Sequence, residues 1–137
     1  FEHGIVPDAI SIPAIGAVVA LQLLAVGTGF LMYIPALTIE IGAGAGFFVL
    51  QRALSRGRWV GDGDIRVGAL MGAFLPWPLL IVAFGAAYIA GGAFAATLLA
   101  TGRAHRGAHI PLVPFLAIGT FVAAFLGGRI LGWYGIA

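Results

Sequence analysis

Long apolar runs separated by short polar segments dominate the hydrophobic pattern of this chain. Five such runs cover residues 9–26, 36–54, 64–75, 77–100 and 111–133. A helix needs about 20 apolar residues to cross a bilayer, and the third run, with about 12, is too short. The third segment must therefore be shielded from lipid by neighbouring helices, or enter the membrane and turn back. The pattern therefore predicts an all-α, polytopic transmembrane helix bundle with about five membrane segments.

Prolines mark the predicted boundaries of these segments. Pro7-Asp8 suits the start of the first helix. Tyr33-Ile34-Pro35 is expected to break the chain before the second segment, and Pro76-Trp77-Pro78 to stop the third.

Small residues four positions apart predict that the helices pack closely through their backbones. The pairs with this spacing are Gly42/Gly46, Gly68/Gly72 and Ala87/Gly91.

The composition excludes several classes of protein. The chain is 61% hydrophobic and 9% charged, whereas soluble domains carry about 25% charged residues. It contains no cysteine, which excludes a disulfide framework, a thiol nucleophile and a zinc–thiolate site. The net charge is +2, but the basic residues are arginines that lie mostly in the loops, Arg66 and Arg129 excepted, so no nucleic-acid partner is expected.

The distribution of arginines predicts the orientation in the membrane. Arg52, Arg56 and Arg58 lie between the second and third segments, and Arg103 and Arg106 between the fourth and fifth. The loops on the opposite side are uncharged, so the N-terminus is expected in the cytosol. The groups predicted on the cytosolic face are Asp64, Asp8, His3, His105 and His109.

Gly61-Asp62-Gly63-Asp64 is the strongest candidate for chemistry, because a carboxylate at a membrane boundary is costly to keep. In one interpretation Asp64 is half of an aspartyl pair that shares a proton, with one member activating water and the other polarising a carbonyl. In the other, Asp64 caps the third helix. These residues alone favour neither interpretation.

Three segments, in order, resemble the GxGD membrane aspartyl proteases, and in particular the type IV prepilin peptidases. They are residues 61–66 (Gly-Asp-Gly-Asp-Ile-Arg), residues 5–8 (Ile-Val-Pro-Asp) and residues 110–119 (Ile-Pro-Leu-Val-Pro-Phe-Leu-Ala-Ile-Gly). The resemblance spans nearly the whole chain. Two departures are Arg66, where many members have lysine, and Leu112-Val113, where members usually have Phe-Gly.

The resemblance implies an intramembrane aspartic endopeptidase of the inner (plasma) membrane, active at the cytosolic face and needing no cofactor. Its substrates would be the leader peptides of type IV prepilins or pseudopilins. Residues 1–137 would form a single membrane-embedded peptidase domain lacking its N-terminal helix. In this family the first catalytic aspartate would fall just before Phe1, so the chain alone is expected to be inactive.

Within this chain the resemblance assigns only Asp64 as catalytic; Gly61, Gly63, Asp62 and Asp8 are expected in supporting roles. Asp8 could stand in as the second carboxylate, but the resemblance argues against it, and it is expected mainly to cap the helix that begins at Ala9. Asp62 is expected in the loop, where it tunes Asp64 electrostatically.

Other polar groups are expected to have ordinary roles. A metal at Asp62 and Asp64 is disfavoured, since no further oxygen ligands cluster there. His105 and His109, with His3 near them, are expected in solvated loops or segments rather than at a metal.

Two features of the second segment also receive ordinary interpretations. Glu40 is assigned to the outer start of the segment, where it would complement the helix dipole. Residues 42–46 (Gly-Ala-Gly-Ala-Gly) lie in an apolar span without a preceding strand, which argues against a nucleotide-binding loop.

A second hypothesis remains open on the residues alone. The chain could be a non-catalytic membrane bundle, such as a transporter fragment or an assembly subunit, in which Asp64 caps a helix or relays a proton.

Overall fold

The computed structural model describes residues 8–58, 60–102 and 112–136. In these residues it contains α1 (Asp8–Val26), a 3₁₀ turn (Gly27–Gly29), α2 (Phe30–Ser55), α3 (Asp62–Phe74), α4 (Leu79–Ala100) and α5 (Val113–Trp133). No strand occurs in this described part of the chain. The predicted all-α class is therefore confirmed.

Four stretches of helix in the described residues are long and apolar enough to cross a membrane. They are Ile12–Gly29, Leu31–Ser55, Leu79–Ala100 and Val113–Trp133. The remaining helix, α3, has 13 residues and is too short, as the sequence pattern predicted. The structure is thus a polytopic helical bundle with one helix of reduced length.

The expected break at Pro35 is wrong, because α2 begins at Phe30 and continues through this proline. Pro35 lies in the second turn of the helix, where its missing N–H costs the bond to one carbonyl. Prolines are tolerated in membrane helices where neighbouring groups adjust. The hydroxyl of Thr38 donates to the Ile34 carbonyl at 2.8 Å, adding a side-chain bond beside the proline. The predicted stop before Pro76 is confirmed, since α3 ends at Phe74.

The chain divides into two compact units, residues 1–77 and 78–137. In the first unit, α2 and α3 run antiparallel in direct backbone contact. A Cβ on Gly72 would overlap the main chain of Glu40, and one on Gly44 would overlap the carbonyl of Gly68. Phe48 is fully buried, with its ring against Gly68. The glycines therefore set how closely the two helices approach.

The predicted glycine pairs are confirmed on α3 and wrong on α2. Gly68 and Gly72 are buried and make the close contacts. Gly42 and Gly46, in contrast, have open space around them, and the glycine between them, Gly44, faces α3. Residues two apart on a helix lie on nearly opposite faces. The sequence prediction therefore assigned the wrong face of α2 to the helix contact.

In the second unit, α4 and α5 also pack through small residues. A Cβ on Gly119 would overlap the Ala83 carbonyl, and Ala87 lies beside it. Leu116, one turn before Gly119, is fully buried. Gly91 lies against the ring of Phe115. The predicted Ala87/Gly91 pair therefore faces α5, as expected.

Candidate active site at the start of helix α3

A tight turn at the end of α2 leads the chain to the candidate site. Arg56 adopts a left-handed conformation (φ 53°), and the N–H of Gly57 closes the helix by donating to the Arg52 carbonyl at 2.8 Å. Such a left-handed residue followed by glycine is a common helix ending. The chain then becomes extended at Gly61 and enters α3 at Asp62.

Asp64 lies in the first turn of α3 and closes that turn with two hydrogen bonds. The backbone N–H of Gly61 donates to Asp64 Oδ2 at 3.1 Å. The N–H of Asp64 donates to the Gly61 carbonyl at 3.2 Å. Because Gly61 has no side chain to cap the helix, the carboxylate of Asp64 does so. The bond from the Gly61 N–H uses Oδ2 of Asp64, and Oδ1 takes no part in it.

Burial changes the acidity of Asp64, which lies outside the four candidate spans. Burial raises the pKa of its carboxyl above the ordinary value, and the hydrogen bond from Gly61 offsets part of this rise. The carboxyl thus holds its proton to a higher pH than an exposed aspartate does. This is the direction required of a group that exchanges protons near neutral pH.

Asp62 does not lie in the loop, as had been expected, but is the first residue of α3. Its Oδ1 pairs with Nη1 of Arg52, near the end of α2, at 2.5 Å. Both side chains are substantially exposed, at 39% for Arg52 and 71% for Asp62. An acidic side chain in the first turn of a helix suits the helix dipole. The pair joins the end of α2 to the start of α3.

Glu40 was also misplaced by the sequence interpretation. It lies well inside α2, more than two turns after Phe30, so the dipole at a helix start does not explain it. Instead, its Oε1 accepts a hydrogen bond from the N–H of Trp77 at 3.3 Å. The error follows from the wrong break at Pro35, which moved the expected start of the helix towards Glu40.

Gln22 was missed altogether. Its Nε2 on α1 donates to the Ala73 carbonyl, near the end of α3, at 3.3 Å. The available signal was a glutamine in the apolar stretch of α1 after Ser11, because a polar side chain in a membrane span needs a partner.

Several predicted residues fall outside what the structure describes. Asp8 begins α1, but its side chain is not described. The other undescribed positions that entered the predictions are Glu2, His3, residues 5–7, Arg103, His105, Arg106, His109 and residues 110–111. Gly63 is the second residue of α3. Within the described residues, no three His, Cys, Asp or Glu side chains are grouped to hold a metal ion.

Comparison with known proteins identifies the family. The model of the type IV leader peptidase family matches residues 1–96, which is more than half of the chain. The chain belongs to the type IV leader peptidase family. The matched region includes all of α1, α2 and α3 and most of α4. The matched region therefore contains Asp64 and the two polar side chains that bond near the end of α3, Gln22 and Glu40.

Individual members of the type IV leader peptidase family are similar over most of this chain. A protein of Aeromonas salmonicida (strain A449), named prepilin leader peptidase/N-methyltransferase, is 29% identical over 136 residues, covering 95% of this chain and 45% of that protein. A protein of the same name from Bacillus subtilis (strain 168) is 33% identical over 96 residues, covering 69% of this chain and 38% of its own length. The chain thus spans less than half the length of these curated relatives. No solved structure matches significantly.

Proposed function

We propose that the full-length protein is an intramembrane aspartic endopeptidase that cleaves the leader peptides of type IV prepilins or pseudopilins. Membership of the type IV leader peptidase family supports this, as does the name prepilin leader peptidase carried by its relatives. The observation that carries the proposal is the half-buried carboxyl of Asp64, held at the start of α3 with a raised pKa.

In the proposed reaction Asp64 works with a second aspartate. Two carboxyls a few ångströms apart share one proton, because both cannot ionise comfortably. The ionised member takes a proton from water, whose oxygen attacks the scissile carbonyl carbon. The protonated member polarises that carbonyl, the amide nitrogen receives a proton, and the C–N bond breaks. The burial that raises the pKa of Asp64 suits the protonated role.

The second aspartate is the one that the family resemblance assigns just before Phe1. The region matched here is 45% of the Aeromonas relative's length, so such relatives contain considerable further sequence. On this proposal the 137-residue chain does not cleave a prepilin alone. Gly61 supports Asp64 through its N–H bond, while Asp62 is held by Arg52; Gly63 and Asp8 are the remaining supporting residues.

The proposed reaction takes place at the cytosolic face of the inner (plasma) membrane. The arginines that follow α2, including Arg56 and Arg58, support this side under the positive-inside rule. The loop of residues 56–61 joins these arginines directly to the start of α3. Asp64 then lies at the boundary where the leader of a membrane-inserted prepilin would enter the lipid.

One observation favours the second hypothesis, a non-catalytic membrane bundle. The carboxylate of Asp64 already has a structural task, since it caps α3 through the Gly61 N–H. Capping alone is a sufficient reason for an aspartate at this position.

The substitution Asp64→Asn in the full-length protein separates the two functions. Asparagine keeps an oxygen that accepts the Gly61 N–H, so the helix start is retained while proton exchange is lost. Prepilin processing in membranes should fall by at least about 10²-fold, the usual contribution of a general acid or base. The measurement is the ratio of mature to unprocessed pilin at equal amounts of membrane-inserted enzyme.

Asp62→Asn is the matched control, because it removes the same charge two residues away. It should retain most of the processing, since the Asp62 side chain is exposed and paired with Arg52. Unchanged processing by Asp64→Asn would overturn the catalytic assignment and leave the capping role alone.

A further inference from the structure

The short length of α3 places its far end at a membrane depth where backbone groups need partners. At a rise of about 1.5 Å per residue, its 13 residues span about 20 Å. The hydrocarbon core is about 30 Å thick. With the charged pair of Arg52 and Asp62 placed at the membrane surface, a helix of this length along the membrane normal ends roughly 10 Å short of the other side.

The backbone donors after this helix end can be accounted for one by one. The N–H of Leu75 donates to the Met71 carbonyl at 2.8 Å. Pro76 and Pro78 have no N–H. The N–H of Trp77 donates to Glu40 Oε1 at 3.3 Å. Every N–H of residues 75–78 is therefore either absent or bonded, as a non-helical segment at membrane depth requires.

The carbonyls at the end of α3 have the opposite need, because the last turn of a helix leaves acceptors without intrahelical partners. Gln22 supplies a donor there, with Nε2 bonded to the Ala73 carbonyl at 3.3 Å. The two side chains are chemically matched to their places: an amide that donates meets a spare acceptor, and a carboxylate that accepts meets a spare donor. Both side chains come from apolar candidate spans.

The same helix is fixed along its length by contacts that leave little room for sliding. Gly72 lies against the main chain of Glu40, and Gly68 against that of Gly44. The ion pair between Arg52 and Asp62 closes the other end. These contacts limit sliding, but α3 is one continuous helix, so a change of tilt at its far end would also move its first turn, which carries Asp64.

We propose that Glu40 and Gln22 are positioning residues for Asp64: they hold the buried end of α3 and so set the depth and tilt of the carboxyl at its other end. The consequence for cleavage rests on the proposed function. The consequence for the position of α3 does not, and it can be measured without substrate.

The kinetic experiment compares Glu40→Leu with Glu40→Gln in the full-length protein. Leucine removes the acceptor and leaves the Trp77 N–H without its partner, whereas glutamine keeps an accepting oxygen and loses only the charge. We expect kcat for prepilin cleavage to fall roughly 10- to 100-fold in Glu40→Leu, the usual cost of a displaced catalytic group, with KM unchanged. Glu40→Gln should restore kcat to within about twofold of the parent, and Gln22→Leu should act in the same direction as Glu40→Leu with a smaller effect.

Thr38→Val is the matched control in the same helix, because the Thr38 hydroxyl bonds only within α2, to the Ile34 carbonyl. It should leave kcat and KM unchanged. If Glu40→Leu fails to accumulate in the membrane, Gln22→Leu carries the test, both through kcat and through the cysteine labelling of the structural experiment, because it removes the other bond at this end of α3. Unchanged kcat and unchanged labelling in Gln22→Leu would then overturn the proposal.

The structural experiment labels a single introduced cysteine in the full-length protein: these 137 residues contribute none, and any cysteine elsewhere in the protein is first replaced by serine. Ile65→Cys, next to Asp64, is labelled with a membrane-impermeant maleimide, and its rate is compared in the Glu40→Leu, Glu40→Gln and Thr38→Val backgrounds. We expect the rate to change several-fold in Glu40→Leu alone. Equal labelling rates in all backgrounds would overturn the proposal.

The two readouts keep the proposals apart. If Glu40→Gln is as inactive as Glu40→Leu, the charge matters rather than the accepting oxygen, and the positioning role is wrong. If the parent protein cleaves no prepilin but Glu40→Leu still shifts the labelling, the positioning role is supported and the proposed protease function fails.

Discussion

The α2/α3 pair and the α4/α5 pair both pack closely through glycine, but the side-chain hydrogen bonds in the two units differ. Both pairs approach closely because glycines, Gly72 in one and Gly119 in the other, lie against a facing backbone. In α4 and α5, the hydroxyls of Thr97 and Thr120 donate to carbonyls of their own helices. In the first unit, Gln22 and Glu40 bond to groups outside their own helices.

Helix length explains the difference. With 22 and 21 residues, α4 and α5 are long enough to cross the hydrocarbon core and satisfy their backbones internally. With 13 residues, α3 is not. The acids follow the same division, since residues 78–137 contain no Asp or Glu. All the acidic residues are thus in the unit that contains the short helix α3 and Asp64.

The largest effect that tests this comparison comes from placing a methyl group in each glycine contact. Gly72→Ala would drive a Cβ into the main chain of Glu40, and Gly119→Ala would drive one into the Ala83 carbonyl. Each should lower the free energy of unfolding by about 1–3 kcal/mol. Gly72→Ala should also lower kcat per folded molecule because it displaces α3, whereas Gly119→Ala should act only through the amount of folded protein. Unfolding in detergent and cleavage by the remaining folded enzyme measure the two effects.

Gly42→Ala and Gly128→Ala are the matched controls, because a Cβ at either position meets nothing within 4 Å. They should be neutral or stabilising, by up to about 1 kcal/mol from helix propensity. Equal effects of Gly72→Ala and Gly42→Ala on stability would contradict the assigned α2/α3 contact.

A smaller effect, confined to the first unit, is the pH dependence that Asp64 gives to stability. Burial raises the pKa of Asp64 in the folded state, so the folded protein holds this proton more tightly than the unfolded chain. Its stabilising contribution is complete below the ordinary pKa, near 3.8, and is lost as the pH rises through the folded value. Asp64→Asn, which cannot ionise, should therefore melt at a higher temperature than the parent at pH 7. The difference should close as the pH approaches 4.

Thermal unfolding in detergent at several pH values checks this sign. A lower melting temperature for Asp64→Asn at pH 7 would show that the ionised carboxylate stabilises the fold through the Gly61 N–H more than burial costs it.

The smallest expected effect belongs to the Arg52–Asp62 pair. Because both side chains are substantially exposed, the pair should contribute less than about 1 kcal/mol, and less still at high salt. A double-mutant cycle with Arg52→Gln and Asp62→Asn, run at low and high salt, measures the coupling. A coupling above about 2 kcal/mol that salt does not reduce would mean that the pair is buried from water.

The sequence predicted the helices well, because apolar run length is a strong signal in membrane proteins. It also identified the shortness of α3, although it placed the start of that helix at Asp64, two residues after the observed start at Asp62. Two of the errors, the start of α2 and the position of Glu40, share one origin. Pro35 was interpreted as a break, which moved the expected helix start next to Glu40 and hid its position inside α2.

The partners of polar side chains lay beyond the reach of sequence patterns. Glycine spacing could not show which face of α2 meets α3, since Gly42, Gly44 and Gly46 offer two faces and only packing selects Gly44. In the same way, the bonds from Gln22 to Ala73 and from Trp77 to Glu40 join residues 51 and 37 positions apart. No local pattern encodes such pairings. The role of Asp64 as its own helix cap was, however, weighed from the sequence.

The short α3 also ties this protein to the thickness of the membrane around it. A helix shorter than the surrounding hydrocarbon creates a hydrophobic mismatch, which lipids relieve by thinning locally at a modest cost per ångström. In a bilayer with shorter acyl chains, the Pro76–Pro78 loop would lie nearer the headgroups and water, and the bonds from Gln22 and to Glu40 would matter less. Acyl-chain length then becomes a variable that acts on the same helix as these two side chains.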